Sequence, residues 1–171
     1  RVKDATNMTE RLGALRALVD AHAPLADAAL AHFHAHFRAE PLVIDMWFGL
    51  QASAPERDGA VFARAKALLR HPDFSLANPN RARSLVMALI RNNPAAFHRA
   101  DAAGYVFWAE HVLALDAMNP QLGARVARGL ERWRQLAEPW RSAAREAIVR
   151  VAAKPDLSPD VREIVDRALA D

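Results

Sequence analysis

Cysteine is absent from the 171-residue chain, which excludes a disulfide framework, a thiolate metal site and a cysteine nucleophile. The same absence fits a reducing compartment, and a cytoplasmic location is the expectation. Glycine is sparse, at six residues, and neither a Gly-rich phosphate loop nor a glycine-turn hairpin occurs. No apolar run reaches the length of a membrane span, and no charged-apolar-small signal segment opens the chain. β-Branched residues are few beside abundant alanine and leucine, a composition that favours helix over strand. Blocks of Lys/Arg flanked by stacking aromatics are also missing. The pI of about 9.9 reflects 23 basic residues nearly matched by 20 acidic ones, for a formal net charge of +3. Solvated helix faces therefore outweigh a nucleic-acid patch, which would need a continuous basic track.

What is present is helical punctuation. Asn-Pro occurs at 78–79, 93–94 and 119–120. Asn accepts from an orphan N–H of a first turn, and proline suits the first helical position because its φ is already helical. The spacing predicts helices from Thr9 to Ala21, from Pro24 to Arg38, from Leu42 to Ala52 and from Gly59 to Arg70. Val43, Met46, Trp47 and Leu50 are buried candidates in the third, and His71 to Ala77 is an irregular connection broken by Pro72. A further helix starts at Pro79, with Ala82, Leu85, Val86, Leu89 and Ile90 on one arc and Arg81 and Arg83 at its opposite edges. A short turn from Pro94 to His98 precedes a helix from Tyr105 to Ala117 that is apolar nearly all round. Its densest stripe is Tyr105, Trp108, Val112 and Leu115. Pro120 opens the next helix, where Leu122, Val126 and Leu130 run beside a basic stripe of Arg125, Arg128 and Arg132. Helices from Glu138 to Ala152 and from Pro159 to Ala170 close the chain, the latter capped by Ser158. At this length and with 52% hydrophobic residues, one domain burying roughly 70% of its unfolded surface is expected. The fold class is all-α. It reads as an irregular α-solenoid of the ARM/HEAT kind, about nine to ten helices in stacked pairs over 1–171.

The chain shows little catalytic chemistry of its own. A zinc peptidase needs H-E-x-x-H on a helix, two imidazoles on one face with a glutamate as base, and the sequence has neither this motif nor its inverse. His32 and His36 share a face but lack a carboxylate at ligand spacing, and His34 points away from them. Glu110 and His111 are adjacent on a helix and do not face each other. Phe97 reads as core and His98 as a local capping group. The five serines lack a G-x-S-x-G context. Trp47, Trp108, Trp133 and Trp140 read as packing rather than a ligand box. On these residues alone the chain is a helical-repeat scaffold that binds another protein in its concave face.

Several runs carry more than this. Asn78-Pro79-Asn80-Arg81-Ala82-Arg83-Ser84-Leu85, Asn93 to His98 (NPAAFH), Gly104-Tyr105 and Asn119-Pro120-Gln121 with Arg125 stand in one stretch. Asn7-Met8-Thr9, Trp47-Phe48, Leu50-Gln51-Ala52 and the tail from Leu157 to Leu169 add to them. Together they resemble the C-terminal helical domain of bacterial aminopeptidase N, a family of zinc-dependent exopeptidases of the gluzincin group, over nearly the whole chain. The resemblance implies that this domain belongs to a larger multidomain enzyme, an expectation that the start at Arg1 shares. It implies zinc in an upstream catalytic domain and none in this chain. The partners implied are that catalytic domain and peptide substrates in a shared cavity, with neither nucleic acid nor membrane. Carried over from the motifs NPNRxR and NPQxxxR, Arg83 and Arg125 are the implied cavity residues. An arginine fork can hold a peptide carboxylate bidentately at any working pH.

Overall fold

The computed structural model describes residues 7–170; Arg1, on which part of the longer-protein expectation rests, lies outside them. The helices are α1 (Met8–Asp20), α2 (Ala26–Phe37), α3 (Pro41–Ala52), α4 (Ala60–Leu68), α5 (Pro79–Ala82), α6 (Ala88–Asn92), α7 (Pro94–Phe97), α8 (Ala103–Met118), α9 (Pro120–Ala127), α10 (Trp140–Ala152) and α11 (Pro159–Leu169). A π-helical turn, Arg83–Met87, joins α5 to α6, and short 3-10 turns follow α9. With α5, the π turn and α6 taken as one rod, the described residues form ten helices and no strand.

Two nearly all-apolar helices organise the stack. In α3, Val43, Ile44, Trp47, Phe48 and Leu50 are buried against α1, α2, α4 and the π turn. In α8, the expected stripe of Tyr105, Trp108, Val112 and Leu115 is the most deeply buried set, with α9 and α10 packed on it and α11 behind them. Each such side chain removed from water contributes about 1.5–3 kcal/mol. The halves meet where α7 runs into α8 and where Phe62 of α4 faces Phe107 of α8, ring centroids 5.9 Å apart.

Every tryptophan serves this packing. Trp47 donates its indole N–H to the Leu30 carbonyl at 3.0 Å, and Trp108 to Val126 at 2.9 Å. Trp133 donates to Ala168 at 2.8 Å and Trp140 to His98 at 3.1 Å. Each indole thus fills space between two elements and ties one of them by its backbone.

Helix starts follow the Asn-Pro rule. Asn78 accepts from the Asn80 and Arg81 amides, Asn93 from Ala96 and Asn119 from Leu122, and Ser158 caps α11 through Val161.

Elsewhere the boundaries differ from expectation. Pro24 does not open α2, because the Ala26 amide closes a turn on Ala23 at 2.9 Å and the helix begins after it. Gly59 precedes α4 in the left-handed region, φ 79°, and the cap comes from Glu56, whose carboxylate accepts from Val61 and Phe62 at 3.0 Å each. At its other end α4 stops at Leu68, where the Arg70 and His71 amides close tight turns on Ala67 and Leu68. Residues 138 and 139 fall outside α10, although the Glu138 carboxylate accepts from the Ser142 amide at 3.2 Å. Met46, expected in the core, is 40% exposed. It lies one turn from exposed Leu42 on α3.

Candidate functional site

Arg83 begins the π turn, and its side chain is exposed. The residue two before it behaves oppositely. Arg81 is buried, its Nε donating to the Asp45 carboxylate at 2.6 Å, with its guanidinium carbon 5.2 Å from the centre of the Phe48 ring. A π turn widens the helix locally and shifts the residues after it around the axis. Arg83 stands where that widening begins. Among the described residues its one hydrogen bond runs from Nη1 to the Asn80 side-chain oxygen at 3.0 Å, a neutral acceptor. An anion can therefore recruit this guanidinium without first breaking an ion pair.

Two open grooves flank it. One, of about 490 Å³, lies between α1, α3 and the π turn and is lined by Arg16, Asp45, Met46, Ser53, Arg83 and Ser84 among others. Arg16 donates to the Ser53 hydroxyl at 3.1 Å and stands 3.8 Å from Asp20, so it is the more restrained of the two arginines. The other groove, of about 480 Å³, is lined by Arg83, Met87, Ala88, Arg91 and Asn92. At Gly49, α3 runs beside the π turn, where a Cβ would stand in ordinary contact with the Ser84 carbonyl at 3.4 Å.

Arg125 lies on α9, exposed, with no hydrogen bond or ion pair among the described residues. Its neighbour Arg128 leans on Glu131 at 3.7 Å. Arg125 lines neither groove that Arg83 lines, so within this chain the two arginines present separate cationic points.

The α2 histidines divide as the helical spacing expects, but His34 finds partners that the sequence does not announce. His32 and His36 stay on the exposed face of α2. His34 instead meets the connection after α4, its Nε2 2.6 Å from the Asp73 carboxylate and its ring 5.0 Å from that of His71. The His71 ring also packs 5.2 Å from Trp47 and 5.5 Å from Phe48. Burial, then the neighbouring His34 and Arg81, push the His71 pKa down against the pull of Asp73. No sequence spacing announces this trio, because its members come from elements 37 and 39 residues apart, as the positions 34, 71 and 73 show. The one available signal was the length of the irregular His71–Ala77 connection.

His98 is the C-cap residue of α7, as its reading as a local capping group expects, its amide donating to the Pro94 carbonyl at 2.8 Å; its side chain has a separate task. Its Nδ1 lies 2.7 Å from the Tyr105 hydroxyl, which donates to it in the neutral tautomer protonated at Nε2. Burial lowers the His98 pKa and pushes the Tyr105 phenol up to about 12. His111 is no partner of Glu110; its Nδ1 reaches the Phe107 carbonyl at 2.7 Å, and burial lowers its pKa.

Comparison with known proteins accounts for nearly the whole chain. The family described as "Domain of unknown function (DUF3458_C) ARM repeats" matches residues 1–170. Aminopeptidase N of Caulobacter vibrioides is 40% identical over 165 residues, 96% of this chain and 19% of that protein. Aminopeptidase N of Escherichia coli is 37% identical over 167 residues, 98% of this chain and 19% of that protein. A crystal structure of Legionella pneumophila aminopeptidase A in complex with aspartic acid superposes with a TM-score of 0.90 at 30% identity, over 98% of this chain and 20% of that one. The chain thus spans about a fifth of the length of the relatives it matches.

Proposed function

The chain belongs to the DUF3458_C family of ARM-repeat domains and is homologous to the C-terminal part of aminopeptidase N, and from that premise we propose that it caps the catalytic domain of a zinc-dependent aminopeptidase. In that role it encloses an internal cavity, restricts entry to short peptides and helps to position them, in the cytoplasm. The zinc-activated water that attacks the peptide bond belongs to another domain. An H-E-x-x-H set is the donor pattern such a zinc needs, and this chain does not contain one.

Arg83 and Arg125 are the residues of this chain proposed to face the cavity. The observation that carries the reading is the near-complete match of this chain to about a fifth of aminopeptidase N. The exposure of both guanidinium groups supports their assignment, since neither pairs with a carboxylate among the described residues. Each would hold the distal carboxylate of a bound peptide as a charge-assisted, bidentate contact.

The test uses the full-length enzyme carrying Arg83→Ala or Arg125→Ala. Losing one charged hydrogen-bonding contact lowers kcat/KM on tri- and tetrapeptides about tenfold. Aminoacyl amides, which have no distal carboxylate, are turned over as before. Equal effects on both substrate classes, or on neither, overturn the assignment of the arginines and leave the capping role to be judged separately.

A further inference from the structure

The geometry points to a binding site for one divalent transition-metal ion, of the zinc class, formed by His34, His71 and Asp73. The site lies outside the peptidase chemistry proposed above and does not depend on it. One donor atom from each of the three residues lies within 4.8 Å of the others. Around a four-coordinate zinc, donors at about 2.0–2.2 Å from the metal stand roughly 3.3 Å apart. The His34 Nε2 to Asp73 oxygen distance is 2.6 Å, so this pair has to open only slightly to admit an ion. Two imidazoles and a carboxylate suit zinc and its neighbours, whereas magnesium and calcium favour all-oxygen shells.

The frame around the three donors is already built. His34 is carried by α2, its ring 4.9 Å from Trp47. His71 is fixed by the same indole and by Phe48, and its Nδ1 accepts from the Asp73 amide at 3.1 Å. The backbone of Asp73 is held in turn by Arg81, whose Nη1 donates to its carbonyl. Arg81 brings a positive charge towards the site, but its pairing with Asp45 offsets much of it. The Asp73 side chain is 44% exposed, which leaves an approach for the ion and room for water as a fourth ligand.

On binding, the metal takes a lone pair from each imidazole and one from the carboxylate. A proton on a coordinating nitrogen shifts to the opposite ring nitrogen or leaves to solvent. The Asp73 amide gives up its bond to His71 Nδ1, whose lone pair goes to the metal or to the shifted proton; only N–H bonds are exchanged. The ion would clip the connection after α4 onto α2, fixing the segment that leads into Asn78 and the helix bearing Arg83.

The test is calorimetric titration of the full-length protein with zinc chloride, for wild type, His71→Gln, Asp73→Asn and a His32→Gln/His36→Gln double variant. Beyond the zinc of the catalytic domain, wild type is expected to take up one equivalent that His71→Gln and Asp73→Asn bind at least tenfold more weakly, while the double variant binds it unchanged. Anomalous diffraction at the zinc edge then places the ion among the three side chains. Asp73 is exposed, so Asp73→Asn keeps the test decisive even where loss of the packed His71 ring unfolds the protein. Equal binding by wild type and Asp73→Asn, or binding lost with His32 and His36, overturns the site. Binding of magnesium chloride as tight as that of zinc does the same.

Discussion

At the scale of single residues, two arginines separated by one position have unrelated roles because of one distant aspartate. Arg81 and Asp45 are 7% and 9% exposed, so truncating the arginine leaves a buried carboxylate without its counter-ion. Arg81→Ala is expected to destabilise the fold by about 3–5 kcal/mol, and urea melts against wild type check it. Arg83→Ala touches only an exposed contact to Asn80 and should stay within about 0.5 kcal/mol. The helical wheel puts the two on opposite edges of an arc, and that much was legible. Which edge is buried was not, since Asp45 reaches Arg81 only after α3 packs against this helix. Gly104 shows the reverse case, a motif residue whose reason appears only in three dimensions. A Cβ there would sit 1.8 Å from the Phe97 carbonyl, a backbone atom that cannot swing away. Gly104→Ala is therefore expected to cost about 3 kcal/mol or more through forced separation of α7 from α8, read as a lower thermal midpoint.

At the scale of elements, the three Asn-Pro starts look alike in sequence and differ in what they hold. Asn119 caps α9, and its side chain makes no other hydrogen bond among the described residues. Asn93 caps α7 and also donates its amide to the buried Ala52 and Ala54 carbonyls at 2.9 and 2.7 Å, tying the end of α3 to the start of α7. Asn119→Ala should cost about 1 kcal/mol, the worth of a cap. Asn93→Ala should cost about 3 kcal/mol, because two buried acceptors lose their donor as well; chemical denaturation of both variants separates them. Starts were legible because capping is local chemistry. The π turn, the cap of α4 by Glu56 and the end of α4 were not, because each answers to neighbours in space. The packed histidines give this element-level design a pH signature. His71, His98 and His111 all have pKa values below the ordinary 6.5. As pH falls below about 6.5, the unfolded chain takes up protons that the folded chain refuses, so stability declines with falling pH until the folded values are passed. Asp101, held down to about 2 by its hydrogen bonds to Arg99 and to the Ala103 amide, loses its contribution only below its ordinary 3.8. The urea midpoint should therefore be lower at pH 5.0 than at pH 7.5, and His98→Gln should shrink the drop.

At the scale of the molecule, a solenoid lacks the closed surface of a globule, and its outer helices keep apolar positions that only a neighbour can cover. Leu42 and Met46, one turn apart on α3, are 67% and 40% exposed, and Met46 borders the groove that Arg83 lines. The periodicity of α3 could not show this, because the helix is apolar nearly all round and gives no polar face to mark the outside. Leu42 sat at the edge of the predicted helix and Met46 was read as core. Such a face beside a groove proposed to open towards substrate is suited to the catalytic domain of the same polypeptide. Without that domain it has only water or another copy to meet, and apolar contact with another copy is the favourable choice. The 171-residue chain alone is therefore expected to self-associate with rising concentration, seen as an increasing weight-average sedimentation coefficient. Leu42→Glu with Met46→Glu should return it to a monomer, since two carboxylates at i and i+4 repel a like surface and cannot be buried unpaired. A wild-type chain that stays monomeric at high concentration removes the case for this face as a docking surface. The buried core of α3, and with it the position of Arg83, would stand unchanged.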